Sequence, residues 1–197
     1  MATSIYKIFE DNQYSLPDAA KRSKTWFDQQ VLLLRRKRYT PQKVLKDDPS
    51  ALTKRLFIGR MYTFMYNPKT KDKLPYYDMF PLIFPFRVES DGFYGINFHY
   101  LPYYIRVRLL DRMMTLSTNR KMDETTRLKL RWSILESSTK YAAVKPSVKH
   151  YLNNNVKSLY KQIPAKDWVT AMLLPVEQFR GADKTTVWSD SRKLGRF

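Results

Sequence analysis

The chain has 197 residues, 43% hydrophobic and 27% charged, enough to bury a core without covalent staples. It has no cysteine, which excludes disulfides, thiolate nucleophiles and cysteine-ligated zinc or iron–sulfur centres. Thirty-six Lys and Arg against eighteen Asp and Glu leave a net charge of +18. That is far beyond the magnitude of about 2–8 that solubility requires, so a polyanionic partner is expected, with nucleic acid the leading candidate, an anionic protein surface next and a membrane surface last. The N-terminal MATSIYKIFEDNQ lacks the basic-then-apolar order of a secretory signal. No apolar run approaches the roughly 18 residues of a membrane span, so a soluble, unsecreted protein is expected.

Residues 1–56 read as an N-terminal arm and a helical segment. The arm, 1–14, carries Ile5, Tyr6 and Phe9 as anchors for its own body or a neighbour. Pro17 opens a helix predicted from Asp18 to about Arg36, in which Ala20, Lys24, Phe27, Val31 and Leu34 recur at three- and four-residue steps. Its end, Arg35, Arg36, Lys37 and Arg38, suits the negative carbonyl end of a helix and equally suits phosphate. Thr40-Pro41 and Asp48-Pro49 each read as a cap followed by a first-turn proline.

Residues 57–102 read as a β core. In Met61–Tyr66 the side chains of Tyr62, Phe64 and Tyr66 alternate with Met61, Thr63 and Met65. Both faces are bulky, which predicts a strand covered on both sides or a barrel strand. A loop carrying Lys69, Lys71 and Lys73 leads to Tyr76-Tyr77-Asp78. Leu82–Val88 is the second strand, and its Pro85 calls for an edge or a bulge because proline lacks the ladder N–H. Ser90-Asp91-Gly92 is a hairpin turn, and Phe93–Leu101 is the third strand, where Gly95 marks a bulge or a close backbone approach.

Residues 103–162 read as a basic helical insertion. Tyr104, Val107, Leu110 and Met114 form the apolar row of one helix, with Arg106, Arg108 and Arg112 off it. A second helix, from about Asp123 to Ala143, points Leu128, Trp132 and Leu135 inward and Arg127, Lys129 and Arg131 outward. Pro146 restarts a helix through Val148, Leu152, Val156 and Leu159. In residues 163–179, WVTAMLLPV alternates as a returning strand that closes the barrel. Residues 180–197 read as an extended C-terminal arm anchored by Val187, Trp188 and Phe197 and ordered on a partner. The expected fold is α+β: a small antiparallel, partly open β-barrel with a helical insertion, an N-terminal helix and extended terminal arms.

Few residues have the spacing of a reaction centre. His99 and His150 are the only histidines and show no HxxxH or HxH pattern. Glu89, Asp91, Asp111, Asp123 and Glu124 read as turn, cap and helix-start residues, although a carboxylate site for magnesium remains open. No GxxxxGK[ST], GxGxxG or GxSxG occurs. The expectation is a protein without catalytic residues, cofactor or metal. Tyr76, Tyr77, Tyr103 and Tyr104 lie beside cations, either to stack on bases or to pack at the core edge with their hydroxyls outward.

The runs GRMYTFMYNPKTKDKLPYYDMFPL, GFYGINFHYLP and IPAKDWVTAMLLPVEQF, over about residues 59–102 and 163–190, resemble proteins of large contractile-tailed, T-even-like bacteriophages. Some of these are virion-associated or protect DNA ends. The resemblance implies a virion setting near packaged DNA, with assembly in the host cytoplasm, and it carries over no catalytic residue. The first reading is a non-enzymatic virion protein that contacts double-stranded DNA, without sequence specificity, at the neck, portal or genome end. Its phosphate contacts would come from Arg35, Arg36, Lys37, Arg38, Lys69, Lys71, Lys73, Arg106, Arg108, Arg127, Lys129 and Arg131. The second is a purely structural neck, tail or baseplate subunit within a large assembly, lacing other virion proteins through Ile5, Tyr6, Phe9, Val187, Trp188 and Phe197. The third is a metal-dependent DNA-processing enzyme.

Overall fold

A computed structural model describes residues 29, 31–33, 35, 40–46, 49–117, 121–174 and 176–195. The expected N-terminal arm with Ile5, Tyr6 and Phe9, the cations Arg36, Lys37 and Arg38, and Phe197 lie outside the described residues. Residues 29, 31–33 and 35 are helical, in line with the three- and four-residue periodicity. Next come α1 (Pro41–Lys46), β1 (Leu52–Thr53), β2 (Met61–Thr63), β3 (Tyr77–Asp78), β4 (Leu82–Val88) and β5 (Gly92–Asn97). They are followed by α2 (Tyr103–Ser117), α3 (Glu124–Ser138), β6 (Val148–Leu152), β7 (Tyr160–Ile163), α4 (Trp168–Leu173), β8 (Phe179–Arg180) and α5 (Lys184–Gly195).

Six strands form one antiparallel sheet in the order β1-β7-β2-β4-β5-β6, and β3 pairs with β8 in a separate ribbon. The alternation in β2, β4 and β5 divides their side chains between two cores. Met61, Leu82, Phe84, Ile96 and Ile163 pack with residues of α2 and α4. Tyr62, Phe64, Tyr66, Ile83, Phe93, Tyr151 and Tyr160 form an aromatic cluster on the other face. β1 and β6 stay unpaired with each other, so the sheet is open and the expected barrel does not close. It does curl. Phe93 and Tyr160 are three strands apart, about 14 Å in a flat sheet, yet their ring centroids are 5.8 Å apart. Four rings around Phe64, at 5.2 to 6.3 Å and edge-on, fill the concave side.

Pro85 lies on β4, which has neighbours on both sides, and the register shifts between Pro85 and Arg87. The bulge accommodates the missing N–H. The Pro85 carbonyl accepts from the Gly59 N–H at 3.1 Å. Gly95 stands opposite Pro85, and the Asp-Gly turn closes with the Glu89 N–H donating to the Gly92 carbonyl at 2.8 Å.

Three expectations are corrected. Residues 148–152 and 160–163 are strands, not helix. Val148, Leu152, Val156 and Leu159 match helical spacing by coincidence, whereas Val148 and Tyr151 face opposite cores as β alternation requires. β7 is therefore the strand that returns to the sheet, and Trp168–Leu173 is a helix with every residue buried. A run enclosed on all sides carries no periodicity to read. Residues 184–195 are a helix, not an extended arm. Asp183 starts it by accepting from the Thr186 N–H at 2.9 Å, and Val187 is fully buried beneath it. In α3, Asp123 caps the first turn through the Thr126 N–H at 2.9 Å, and Leu135 faces the core, while Trp132 is 41% exposed rather than inward. In α2 it is Tyr103, not Tyr104, that turns in.

Candidate nucleic-acid interface

The loop that carries Lys69, Lys71 and Lys73 is held at both ends by β pairing. Tyr66 bridges to Val156 before it, and β3 pairs with β8 after it, matching Tyr77 to Arg180 and Asp78 to Phe179. Gly181, at φ 87°, lets the chain pass Pro75. A Cβ there would stand 2.4 Å from the Pro75 carbonyl oxygen, so a side chain would force the two segments apart. Between these clamps, Lys71–Lys73 forms an exposed 3₁₀ turn.

A cleft of about 330 Å³ opens beside the loop, walled by Tyr66, Lys69, Thr70, Tyr76, Tyr77, Tyr100, Lys149, His150 and Tyr151. A second hollow shares Tyr66, Leu74 and Tyr77 with it and adds Lys71, Asp72, Lys157 and Arg180. A third shares Met79 and Arg180 and adds Arg35, Glu177, Asp183 and Lys184. The three hollows adjoin through these shared walls and are together called the groove. Of its acids, Glu177 lies 3.6 Å from Lys184, Asp183 caps α5 and Asp78 is buried in its own network, while Asp72 is exposed beside Lys71. Among the described residues, Lys69, Lys71, Lys149, Lys157 and Arg180 make no ion pair, so the groove presents a net positive line interleaved with tyrosines.

The inner wall is set by Asp78. Its oxygens accept from the Phe80 N–H at 3.0 Å, from the Asn97 amide at 2.9 Å and from His99 Nδ1 at 2.8 Å. Burial pushes this carboxyl up, but the His99 imidazole and these hydrogen bonds outweigh it and hold it below its usual range. His99 is thus a buried hydrogen-bonded residue, as expected, but it sits in a 3₁₀ turn, Phe98–Tyr100, that follows β5, because the expected strand to Leu101 ends at Asn97. Lys149 reaches over Tyr100 with its ammonium 4.0 Å from the ring centroid. Burial lowers its pKa to about 8, although the Asp78 carboxylate acts in the opposite direction. Burial and the same carboxylate push the Tyr100 phenol up, so it stays protonated.

A separate cationic cluster forms where α3 meets β2. Glu124 receives Arg127 at 3.1 Å, Arg131 at 3.6 Å and Arg60 at 3.8 Å, three guanidiniums on one carboxylate. Beside it Phe57, Val88 and Trp132 form an exposed apolar patch with Leu128 and Lys129.

The cations expected at phosphate are therefore divided. Lys69, Lys71 and Arg35 line the groove, and Lys73 is exposed on its loop. Arg127, Lys129 and Arg131 sit in the α3 cluster, and Arg108 is exposed on α2 outside both. Arg106 is corrected. It is fully buried, and its guanidinium donates to the carbonyls of Leu101 at 2.6 Å, Met172 at 2.7 Å and His99 at 3.3 Å. Arg131 is also buried and held by Glu124 and the Gly59 carbonyl, so its side chain points away from any ligand. Val187 and Trp188, expected to grip a partner, pack on the protein's own body. Lys149, Lys157, Arg180, Tyr66 and Tyr100 were not expected here. For Lys149 the signal was present in the alternation of VKHYL, which puts Lys149 and Tyr151 on one face.

Glu89, Asp91 and His150 bring ligand atoms within 4.8 Å of one another at the hairpin turn, all exposed. They have the donor types for a divalent cation. His150 is also engaged by Asp91 at 3.7 Å and by stacking on Tyr94 at 4.5 Å. Among the described residues no helix is long and apolar enough to cross a membrane.

The fold is thus a curled, open α+β sheet, with a cleft in which lysines meet tyrosines over a hydrogen-bonded buried carboxylate. Residues 15–192 match the family described as phage T4 terminal DNA protecting protein, and the chain belongs to that family. It is accordingly a phage protein, of a family described by the protection of terminal DNA. Searches of the curated proteins and of the solved structures found no match.

Proposed function

We propose that the protein binds the ends of double-stranded DNA through the groove, without reading sequence, and protects them by occupying them. The observation that carries this reading is the line of Lys69, Lys71, Lys149, Lys157 and Arg180 interleaved with tyrosines, in a chain of the terminal DNA protecting family. Lysines act as point charges on phosphate and carry no base code, which favours binding without sequence preference. Lys73 and Arg35 extend the line, and Arg60, Arg127 and Lys129 offer a second patch for a flanking phosphate. The setting is the virion, at the neck, portal or genome end, after assembly in the host cytoplasm. The test is digestion of a linear duplex by an exonuclease that enters at ends, with and without the protein. Slowed digestion at saturating protein is expected, and unchanged digestion overturns the proposal.

A second reading is favoured by the Phe57–Val88–Trp132 patch. Flanked by Lys129 and by Arg60, whose guanidinium lies 4.8 Å from the Phe57 ring centroid, it suits an acidic, apolar-edged neighbour in the particle. Trp132→Ser with Val88→Ser then lowers incorporation into particles and leaves DNA affinity unchanged. Normal incorporation sinks this reading.

A further inference from the structure

We infer that the cleft walled by Tyr66, Tyr76, Tyr100 and Lys149 takes one terminal nucleotide of DNA, unpaired from its partner, with its base against the tyrosine rings and its phosphate at Lys149 and Lys69. This rests on the DNA-end reading above and adds how an end is told from the interior of a duplex.

Size sets the ligand. About 330 Å³ is near the lower limit of small-molecule sites, room for a nucleotide but not for a stacked base pair. The chemistry of the wall fits the two halves of such a ligand. Tyr76, half-buried on the wall, offers its ring to a base irrespective of its identity, and the buried Tyr100 ring, 6.2 Å from it at 36°, backs it and carries the Lys149 ammonium on its face. Lys149 and Lys69 supply the cations that a phosphate requires. Asp78 is the wall's one carboxylate, and three N–H donors already saturate it, so it faces inward instead of opposing the phosphate. The phenols of Tyr66, Tyr76 and Tyr100 are uncharged, and burial raises them further, so they set no negative charge against the phosphate.

The discrimination follows from where unpairing is easy. Extruding a nucleotide from within a duplex breaks stacking on both sides, whereas a terminal or single-stranded nucleotide is already part-way free. Cations along the groove hold any duplex, but only an end fills the cleft. The depressed pKa of Lys149 agrees with a lysine kept partly desolvated until a phosphate compensates it. The groups that surround it are Asp78 and Tyr76 from the β3 segment, Tyr100 from the turn after β5, Lys69 and Tyr66 from the loop, and His150 and Tyr151 on β6.

The experiment uses the full chain and two fluorescein-labelled DNAs of one sequence: a hairpin with one open end carrying a short single-stranded extension, and a dumbbell closed at both ends. Anisotropy is expected to show the hairpin bound about tenfold more tightly. Tyr76→Leu is expected to remove that difference and to leave dumbbell affinity within about twofold of the parent, which also reports that the variant is folded, and Lys149→Met is expected to weaken the hairpin more than the dumbbell. A 2-aminopurine placed at the open terminus is expected to change its emission on binding, and one placed within the duplex is not. Equal affinity for hairpin and dumbbell, a variant that weakens both alike, or a silent terminal probe overturns the pocket while leaving DNA binding intact. Absence of binding to either DNA overturns the reading beneath it.

Discussion

Trp188 donates its indole N–H to the carbonyl of His99 at 2.8 Å, fastening the C-terminal helix to the turn that follows β5. Its ring packs edge-on against Tyr103 at 5.2 Å, and the Arg106 guanidinium lies beside both, 4.6 Å from the Tyr103 centroid and 5.4 Å from that of Trp188. The same turn carries Tyr100 to the cleft and His99 to the Asp78 network behind it. The helix thus braces the candidate site from behind, and Tyr76 completes the brace by hydrogen bonding to Asp190. Removing residues 184–197 is expected to lower the urea midpoint of the whole protein. Trp188→Ala is expected to cost about 3 kcal/mol. An unchanged midpoint would mean that the helix is an independent appendage.

Arg106 is a structural cation. Its replacement by Ala leaves three buried carbonyls without their donor, so a loss of about 3–5 kcal/mol in urea unfolding is expected. Lys71→Ala, on the exposed turn, is expected to leave the midpoint unchanged. A large loss of DNA affinity in a folded Arg106→Lys variant would contradict this division.

Asp78 and Lys149 give opposite pH signatures. The Asp78 carboxyl is depressed in the folded state, so its contribution is present above about pH 4 and is lost as pH falls through the folded value. Asp78→Asn is expected to be less stable at neutral pH and to show a flatter acid limb. The folded-state pKa of Lys149 is about 8, below its usual 10.5, so the unfolded chain holds the proton more tightly. Stability therefore rises with pH between about 8 and 10.5, by up to about 3 kcal/mol. Lys149→Met is expected to abolish that rise and to stabilise the protein at pH 7. Urea midpoints measured across pH decide both, and a flat profile for the parent between pH 8 and 10 contradicts the buried-lysine account.

Along the groove, Lys69→Ala, Lys71→Ala, Lys157→Ala and Arg180→Ala are each expected to weaken duplex binding about three- to tenfold, independently of sequence. Each is expected to flatten the salt dependence by about 0.9 in log–log slope. Arg108→Ala, outside the groove, is expected to change neither quantity. Anisotropy with two duplexes of unrelated sequence checks both statements.

The central strands were legible because each has one residue type per face: Tyr62 and Phe64 against Met61 and Thr63, Phe84 against Ile83. α2 and α3 were legible from their apolar spacing, and α3 also from its cap at Asp123. β6 and β7 were not, because Val148, Leu152, Val156 and Leu159 satisfy a helical spacing that only the tertiary pairing overrules. For α5 the Asp183 cap lay in plain sight, but so polar a segment hides the single buried Val187 that docks it. The groove was half legible. The Lys69–Lys73 loop and its tyrosines stood out, yet Lys149 and Arg180 reach it only because β6 and β8 return from positions far along the chain. Arg106 had the look of a surface cation on a basic helix, and nothing short of its three carbonyl partners reveals that it is interior.

The account stands most directly on one measurement, the affinity for a linear duplex as salt is raised. Five groove cations at phosphate predict a log–log slope of about −4 to −5. The Lys71→Ala Lys157→Ala Arg180→Ala variant is predicted to fall to about −2 while keeping the parent's urea midpoint. Binding that is insensitive to salt, or no binding at the lowest salt, would contradict the assignment of this groove to DNA.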